Sequence, residues 1–152
     1  MKLLDKKELH ELVNSLSIKY FSKPFNDSVC YNNRLRTTGG RYFPSKRLIE
    51  LNKKYFAEMD EEEVIGVIKH ELCHYHLHIE GKGYKHRDRD FKELLRKTGS
   101  PRHCRPLPSY EKRNPKHTYI CKNCEHVYKR YRRVNTSRYR CGKCRGELVA
   151  EE

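Results

Sequence analysis

Along the first twenty residues Leu3, Leu4, Leu9, Leu12, Val13 and Leu16 recur at helical spacing among Lys, Glu and His, which predicts an amphipathic helix ending before Pro24. From Val29 to Tyr42 the pattern changes. Asn, β-branched Thr and the Gly39-Gly40 pair predict two short strands joined as a hairpin, and Leu48, Ile49 and Leu51 beyond Pro44 predict a third strand. In the next segment Asp60 and Glu63 have the spacing of a capping box, and Glu61 and Glu62 suit the positive end of a helix. Val64, Ile65, Ile68, Leu72, Tyr75 and Ile79 then supply its apolar stripe. This helix should run for about 20 residues and stop at Gly81 or Gly83. After a basic loop, residues 89–98 predict another helix with Phe91, Leu94 and Leu95 facing inward and Gly99 at its end.

Pro101, Pro106, Pro108 and Pro115 punctuate a stretch with few apolar residues, and from Thr118 onward short β-like runs each contain a pair of cysteines. The expected layout is α+β: a compact core of helices with a small sheet over residues 1–105, a linker over 106–116 and a β-rich module over 117–152. Leu, Ile, Val and Phe make up only 32 of the 152 residues, so something besides a large apolar core is expected to hold the chain together. No run of about 18 apolar residues exists and the N-terminus is charged throughout, so neither a membrane span nor a secretory signal is expected and the chain reads as cytosolic. Its seven cysteines should then be reduced, as metal ligands or buried thiols.

The formal charge of +14 is uneven. Residues 81–152 carry 21 Lys and Arg against 8 Asp and Glu, whereas residues 1–80 nearly balance. A half-chain this basic attracts polyanions, nucleic acid first, although a solvated surface that keeps the protein soluble explains the charge equally well.

His70-Glu71-Leu72-Cys73-His74 is an H-E-x-x-H pattern inside the predicted helix. Four residues turn through about 400°, so His70 and His74 stand one turn apart on one face and can grip one zinc ion. Glu71 points about 100° away, from where its carboxylate can reach a zinc-activated water. A catalytic zinc takes three protein ligands and leaves a position open. His76 and His78 are aimed off the 70/74 face, whereas His86 lies past the Gly81-Lys82-Gly83 turn, where the chain can fold back, and is the expected third ligand. The competing reading makes it one more residue of a basic loop.

Cys121-x-x-Cys124 and Cys141-x-x-Cys144 each place two thiols on a tight turn. Four thiolates converging on zinc, with no open position, make a structural site that also supplies folding free energy. Between the pairs, Arg130, Arg132, Arg133, Arg138 and Arg140 alternate with Tyr128, Tyr131 and Tyr139. Arginines neutralise phosphates and tyrosine rings stack on unpaired bases, although the tyrosines could equally pack on the module's own core.

HELCH, preceded by NRLRTTGGRYFPSKRLIELN and followed by HRDRDF and the Cys-x-x-Cys pairs, resembles the bacterial SprT-like family over roughly residues 4–149. That family is related to the protease domain of Spartan, the eukaryotic enzyme that digests proteins crosslinked to DNA. The resemblance implies a compact zincin followed by a zinc ribbon, with His70, His74 and His86 as zinc ligands and Glu71 as catalytic acid and base. One departure stands out. In relatives the third histidine is commonly followed by two residues and then an acidic-aromatic pair, whereas three follow His86 before Asp90-Phe91. The expected function is zinc-dependent peptide hydrolysis, with one catalytic and one structural zinc, a protein substrate and nucleic acid, DNA above all, as partner. The alternative is a zinc-stabilised nucleic-acid-binding or regulatory protein without turnover.

Overall fold

A computed structural model describes residues 2–111 and 115–151. The chain forms two compact units, Met1–Tyr110 and Glu111–Glu152. Residues 112–114 of the expected linker lie outside the described residues.

The first unit opens with α1 (Lys6–Phe21). Asp5 accepts from the Glu8 amide while Glu8 reaches back to the Asp5 amide, so two N-terminal donors that the helix cannot satisfy are paired. Leu9, Val13 and Leu16 face the core. Three strands follow, β1 (Ser28–Tyr31), β2 (Gly40–Phe43) and β3 (Leu48–Leu51). Their order is β1-β3-β2, with β1 parallel and β2 antiparallel to β3.

The expected hairpin between the first two strands is therefore corrected: both strands exist, but β3 lies between them. The short Pro44–Lys46 turn makes β2 and β3 the antiparallel neighbours. The longer segment after β1 carries the chain past β3, where Asn32 N–H still donates to the Leu51 carbonyl at 2.9 Å. This order leaves β2 at the sheet edge.

Asn52 caps α2 (Lys53–Glu58), a six-residue helix that no periodicity predicted. The next helix, α3 (Glu61–Ile79), starts at the expected cap, where the Asp60 side chain accepts from the Glu63 amide at 2.9 Å. Ten of its 19 residues are buried, because α1 and the sheet cover it on one side and α4 (Arg89–Thr98) on another. The main core joins Leu9 and Val13 of α1, Val29, Ile49 and Leu51 of the sheet, and Val64, Ile68, Leu72 and Tyr75 of α3. A smaller cluster of Cys73, Leu77, Phe91 and Leu95 fastens α4 to α3. Gly99 ends α4 in the left-handed conformation at φ 66°. Leu107 then returns to the main core before the short helix α5 (Pro108–Glu111).

The sheet packs on α3 through its glycines. A Cβ on Gly39 would stand 2.7 Å from Val67 Cγ2, and one on Gly40 would stand 3.2 Å from Glu71 Cγ. β2 and the glycine before it thus lay their backbone against the side chains of α3, past the turn that carries the H-E-x-x-H residues.

The second unit is a three-stranded antiparallel sheet of β4 (His117–Cys121), β5 (Val127–Arg130) and β6 (Leu148–Glu151), ordered β5-β4-β6. Its buried cluster consists of Cys121, Cys141 and Leu148, with Tyr128 packed against it. That is too little apolar surface to fold 42 residues without cross-links or metal. The architecture is the expected α+β core followed by a β-rich ribbon. Among the described residues no helix is long and apolar enough to cross a membrane.

Candidate metal centres and the cleft beside the histidines

On α3, His70 and His74 face the same side, and the loop before α4 brings His86 to them. His86 Nε2 lies 3.0 Å from His70 Nε2 and 3.2 Å from His74 Nε2. Tetrahedral ligands about 2.0–2.1 Å from a zinc ion stand roughly 3.3 Å apart, so His86 stands near the spacing of a zinc site from each helix nitrogen, and all three ligand atoms lie within 4.8 Å of one another.

Their tautomers suit ligation too. His70 Nδ1 donates to the Pro101 carbonyl at 2.7 Å and His74 Nδ1 donates to the Tyr84 carbonyl, which leaves each Nε2 lone pair free for a metal. Burial lowers the proton affinity of both rings, that of His74 to a pKa of about 4, so both are neutral at physiological pH. Phe91, at the start of α4, stacks on His74 at 4.2 Å and meets His70 and His86 edgewise, each at 5.3 Å. His86 itself sits in a turn closed by the Asp88 amide on the Lys85 carbonyl at 2.9 Å. Even with the additional residue before Asp90-Phe91, the loop delivers both His86 and Phe91 to the cluster.

Glu71 is 6 % exposed, and burial pushes its carboxyl up to about 8. No donor hydrogen bonds to it among the described residues, and it opens into a cleft of about 530 Å³ that also receives Gly40, Tyr42, Lys85, Arg102 and His103. A buried carboxyl with this raised proton affinity is a strong proton acceptor once ionised, and no protein donor competes for it.

The other two histidines of the helix turn away, as the helical offsets require. His76 is buried, with Nε2 2.6 Å from Ser17 Oγ, and burial lowers its pKa to about 4. His78 Nδ1 is bonded to the Tyr42 hydroxyl at 2.7 Å. Substituting His86 by alanine should therefore remove the zinc held at the helix. His78→Ala should keep it, and His76→Ala should lower stability by emptying the site of a buried ring and breaking its bond to Ser17, whose hydroxyl still donates to the Lys23 carbonyl, rather than strip metal. Metal analysis of the purified variants beside their melting temperatures tests the assignment, and loss of metal in His78→Ala alone would overturn it.

In the ribbon the four cysteines converge, with Cys121 Sγ 3.4 Å from Cys144 Sγ and Cys124 Sγ 3.6 Å from Cys141 Sγ. Zinc–sulfur bonds of about 2.3 Å put tetrahedral thiolates roughly 3.8 Å apart, so this donor set fits zinc with no position left open. Each pair is followed by a residue at positive φ, Glu125 at 60° and Arg145 at 62°, which turns the chain back toward the sulfurs. Gly146 has no room for a side chain: a Cβ there would stand 2.9 Å from Cys121 Sγ.

Tyr128 belongs to this centre. Its hydroxyl lies 3.2 Å from Cys141 Sγ and accepts from the Gly142 amide at 3.1 Å, and with backbone amides it pulls the Cys141 thiol down to about 5. Nothing in the sequence set Tyr128 apart from Tyr131 and Tyr139, which are 63 % and 54 % exposed. Arg130, Arg132, Arg133, Arg138 and Arg140 are all exposed as well.

Comparison with known proteins finds relatives for both parts of the chain. The sequence model of the SprT-like family matches residues 9–118, and that of the SprT-like zinc ribbon domain matches residues 115–151. The SprT-like protein of Oceanobacillus iheyensis is 66% identical over 148 residues, covering 97% of this chain and 98% of that protein. The one from Bacillus subtilis is 53% identical, covering 95% and 97%. Among solved structures, the metallopeptidase zymogen abylysin of Pyrococcus abyssi is similar over 57% of this chain and 76% of its own, with 18% identity and a TM-score of 0.45. The four-thiolate cluster falls within the ribbon match, and the three histidines with Glu71 fall within the other.

Proposed function

This chain belongs to the SprT-like family, and from that premise we propose that it is a zinc-dependent peptide hydrolase acting on proteins associated with nucleic acid. The observation that carries the reading is Glu71. A purely structural metal site has no use for a buried carboxylate with no protein donor, held beside three converging imidazoles in an open cleft.

His70, His74 and His86 would hold the catalytic zinc, and Cys121, Cys124, Cys141 and Cys144 a structural one. Bound at the histidines, zinc would supply Lewis acidity that polarises a substrate carbonyl and makes water a better nucleophile. Glu71 accepts the proton of the attacking water and hands it to the departing amine, which must leave protonated. β2 positions the substrate: as an edge strand it presents unpaired backbone groups along the cleft, to which an extended peptide can add as a further strand. Phe91 and the Pro101 and Tyr84 carbonyls keep the imidazoles from turning.

The exposed arginines of the ribbon, with Tyr131 and Tyr139, would attach the enzyme to nucleic acid, and the kinship with Spartan favours DNA. The zinc-loaded chain should cleave an unstructured DNA-binding protein, faster with DNA present than without. Reversing charge at Arg130, Arg132 and Arg133 should weaken DNA binding and flatten its dependence on salt, because fewer counterions are released. If the wild type cleaves nothing with or without DNA, a zinc-stabilised binding protein without turnover takes the place of the hydrolase. If the salt slope is unchanged in the charge-reversed chain, the basic ribbon is a solvated surface only.

A further inference from the structure

The cleft carries charge in an arrangement that bears on which peptides enter it. β2 runs alongside α3 in the same direction: Gly39 meets Val67, Gly40 meets Glu71, and Tyr42 meets Tyr75 and His78. A peptide added at the free edge of β2 is thereby drawn out along α3 across the three histidines. The two walls of the cleft bracket that path at opposite ends. Pro101 packs against Gly66 and holds His70, which puts Arg102 and His103 at the upstream end of the helix turn. Tyr84 holds His74 and lies against His78 at 4.9 Å, which puts Lys85 at the downstream end.

Both Lys85 and Arg102 are exposed, and no ion pair to either side chain is found among the described residues. Glu71 supplies the acidic side chain among the residues lining the cleft, and the chemistry occupies it.

Resting on the hydrolase reading, we propose that the cleft selects peptide segments with acidic side chains on both sides of the scissile bond. Four residues of helix rise about 6 Å and an extended peptide advances about 3.3 Å per residue, so Lys85 and Arg102 lie within reach of side chains one or two positions to either side of the reacting carbonyl. Aspartate or glutamate there gains an opposite charge at each end, whereas lysine or arginine meets two like charges. This preference is compatible with substrates held on nucleic acid. A protein bound to phosphates turns its basic face toward them and leaves its acidic segments outward, where a second protein can take hold of them.

The test uses the zinc-loaded full chain and three quenched fluorescent peptides with one shared apolar centre, flanked on both sides by Asp, by Asn or by Lys. The expected order of kcat/KM is Asp over Asn over Lys, spanning roughly tenfold at low salt and shrinking as salt is raised. In Lys85→Glu/Arg102→Glu, with zinc content checked because Lys85 adjoins His86, the order should reverse. Three equal rates, or an unchanged order in the variant, overturn the proposal while leaving the hydrolase intact. A single-stranded oligonucleotide that blocks cleavage in the wild type but not in the variant, with no order among the peptides, would make the rim a nucleic-acid surface instead. Failure to cleave any peptide, with both metals bound and DNA present or absent, removes the hydrolase reading and the preference together.

Discussion

Replacing Glu71 by glutamine should leave a folded chain that binds zinc normally and hydrolyses its substrate roughly 10²–10⁴ times more slowly. Glutamine keeps the length and shape of the side chain, so the close approach of Gly40 to Glu71 Cγ is undisturbed. What disappears is a carboxylate that can hold a proton between its removal from water and its delivery to the amine. The amide can do neither. The loss should therefore appear in kcat, with zinc content and melting temperature close to wild type. His70→Ala should lose activity by another route, through loss of metal. Cleavage assays with zinc analysis on the same samples separate the two, and a Glu71→Gln chain as fast as wild type would sink the catalytic assignment.

A larger effect is expected in the ribbon. Cys121→Ser with Cys141→Ser removes one sulfur from each turn, both of them buried, and should abolish zinc binding there. Structural zinc contributes on the order of 10–16 kcal/mol in small modules of this kind, more than a cluster of Cys121, Cys141, Leu148 and Tyr128 can replace. The second unit should unfold while the first, with its own core, keeps its structure and its zinc. Amide hydrogen exchange would show protection lost over residues 115–151 and retained over α1, α3 and the first sheet. Collapse of both units, or a ribbon that stays protected, would count against separate metal-dependent folding.

Much of this was legible in the sequence because the chemistry depends on short-range spacing. His70 and His74 are fixed by helical geometry once Asp60 and the apolar stripe define α3, and each Cys-x-x-Cys pair closes on itself. The strand order was not legible. Val29, Tyr42 and Ile49 have the same alternation in a hairpin as in the β1-β3-β2 arrangement, and the choice is made by connection length and by how closely the glycines let β2 approach α3. α2 is not legible because six residues show too little periodicity. The carbonyls of Pro101 and Tyr84 were beyond reach for a different reason: any residue has a carbonyl, and only the fold decides which one meets an imidazole. Tyr128 is the intermediate case, a side chain that stands out by type but whose partner, Cys141, lies in the other cysteine pair.

The supports of His70 and His74 have a consequence in time. The groups that steady the two ligands of α3 among the described residues lie later in the chain: Tyr84, His86, Phe91 and Pro101, with Leu107 closing the core beyond them. During synthesis, α3 leaves the ribosome with its H-E-x-x-H turn complete and the β2 side of the cleft already made, but without the carbonyls that orient the imidazoles or the opposite wall. Some thirty further residues must emerge before the metal centre can assemble. The growing polypeptide thus passes through its most exposed stage, unfolded and cleavable, before it holds the centre that the proposed hydrolase would use to cut it.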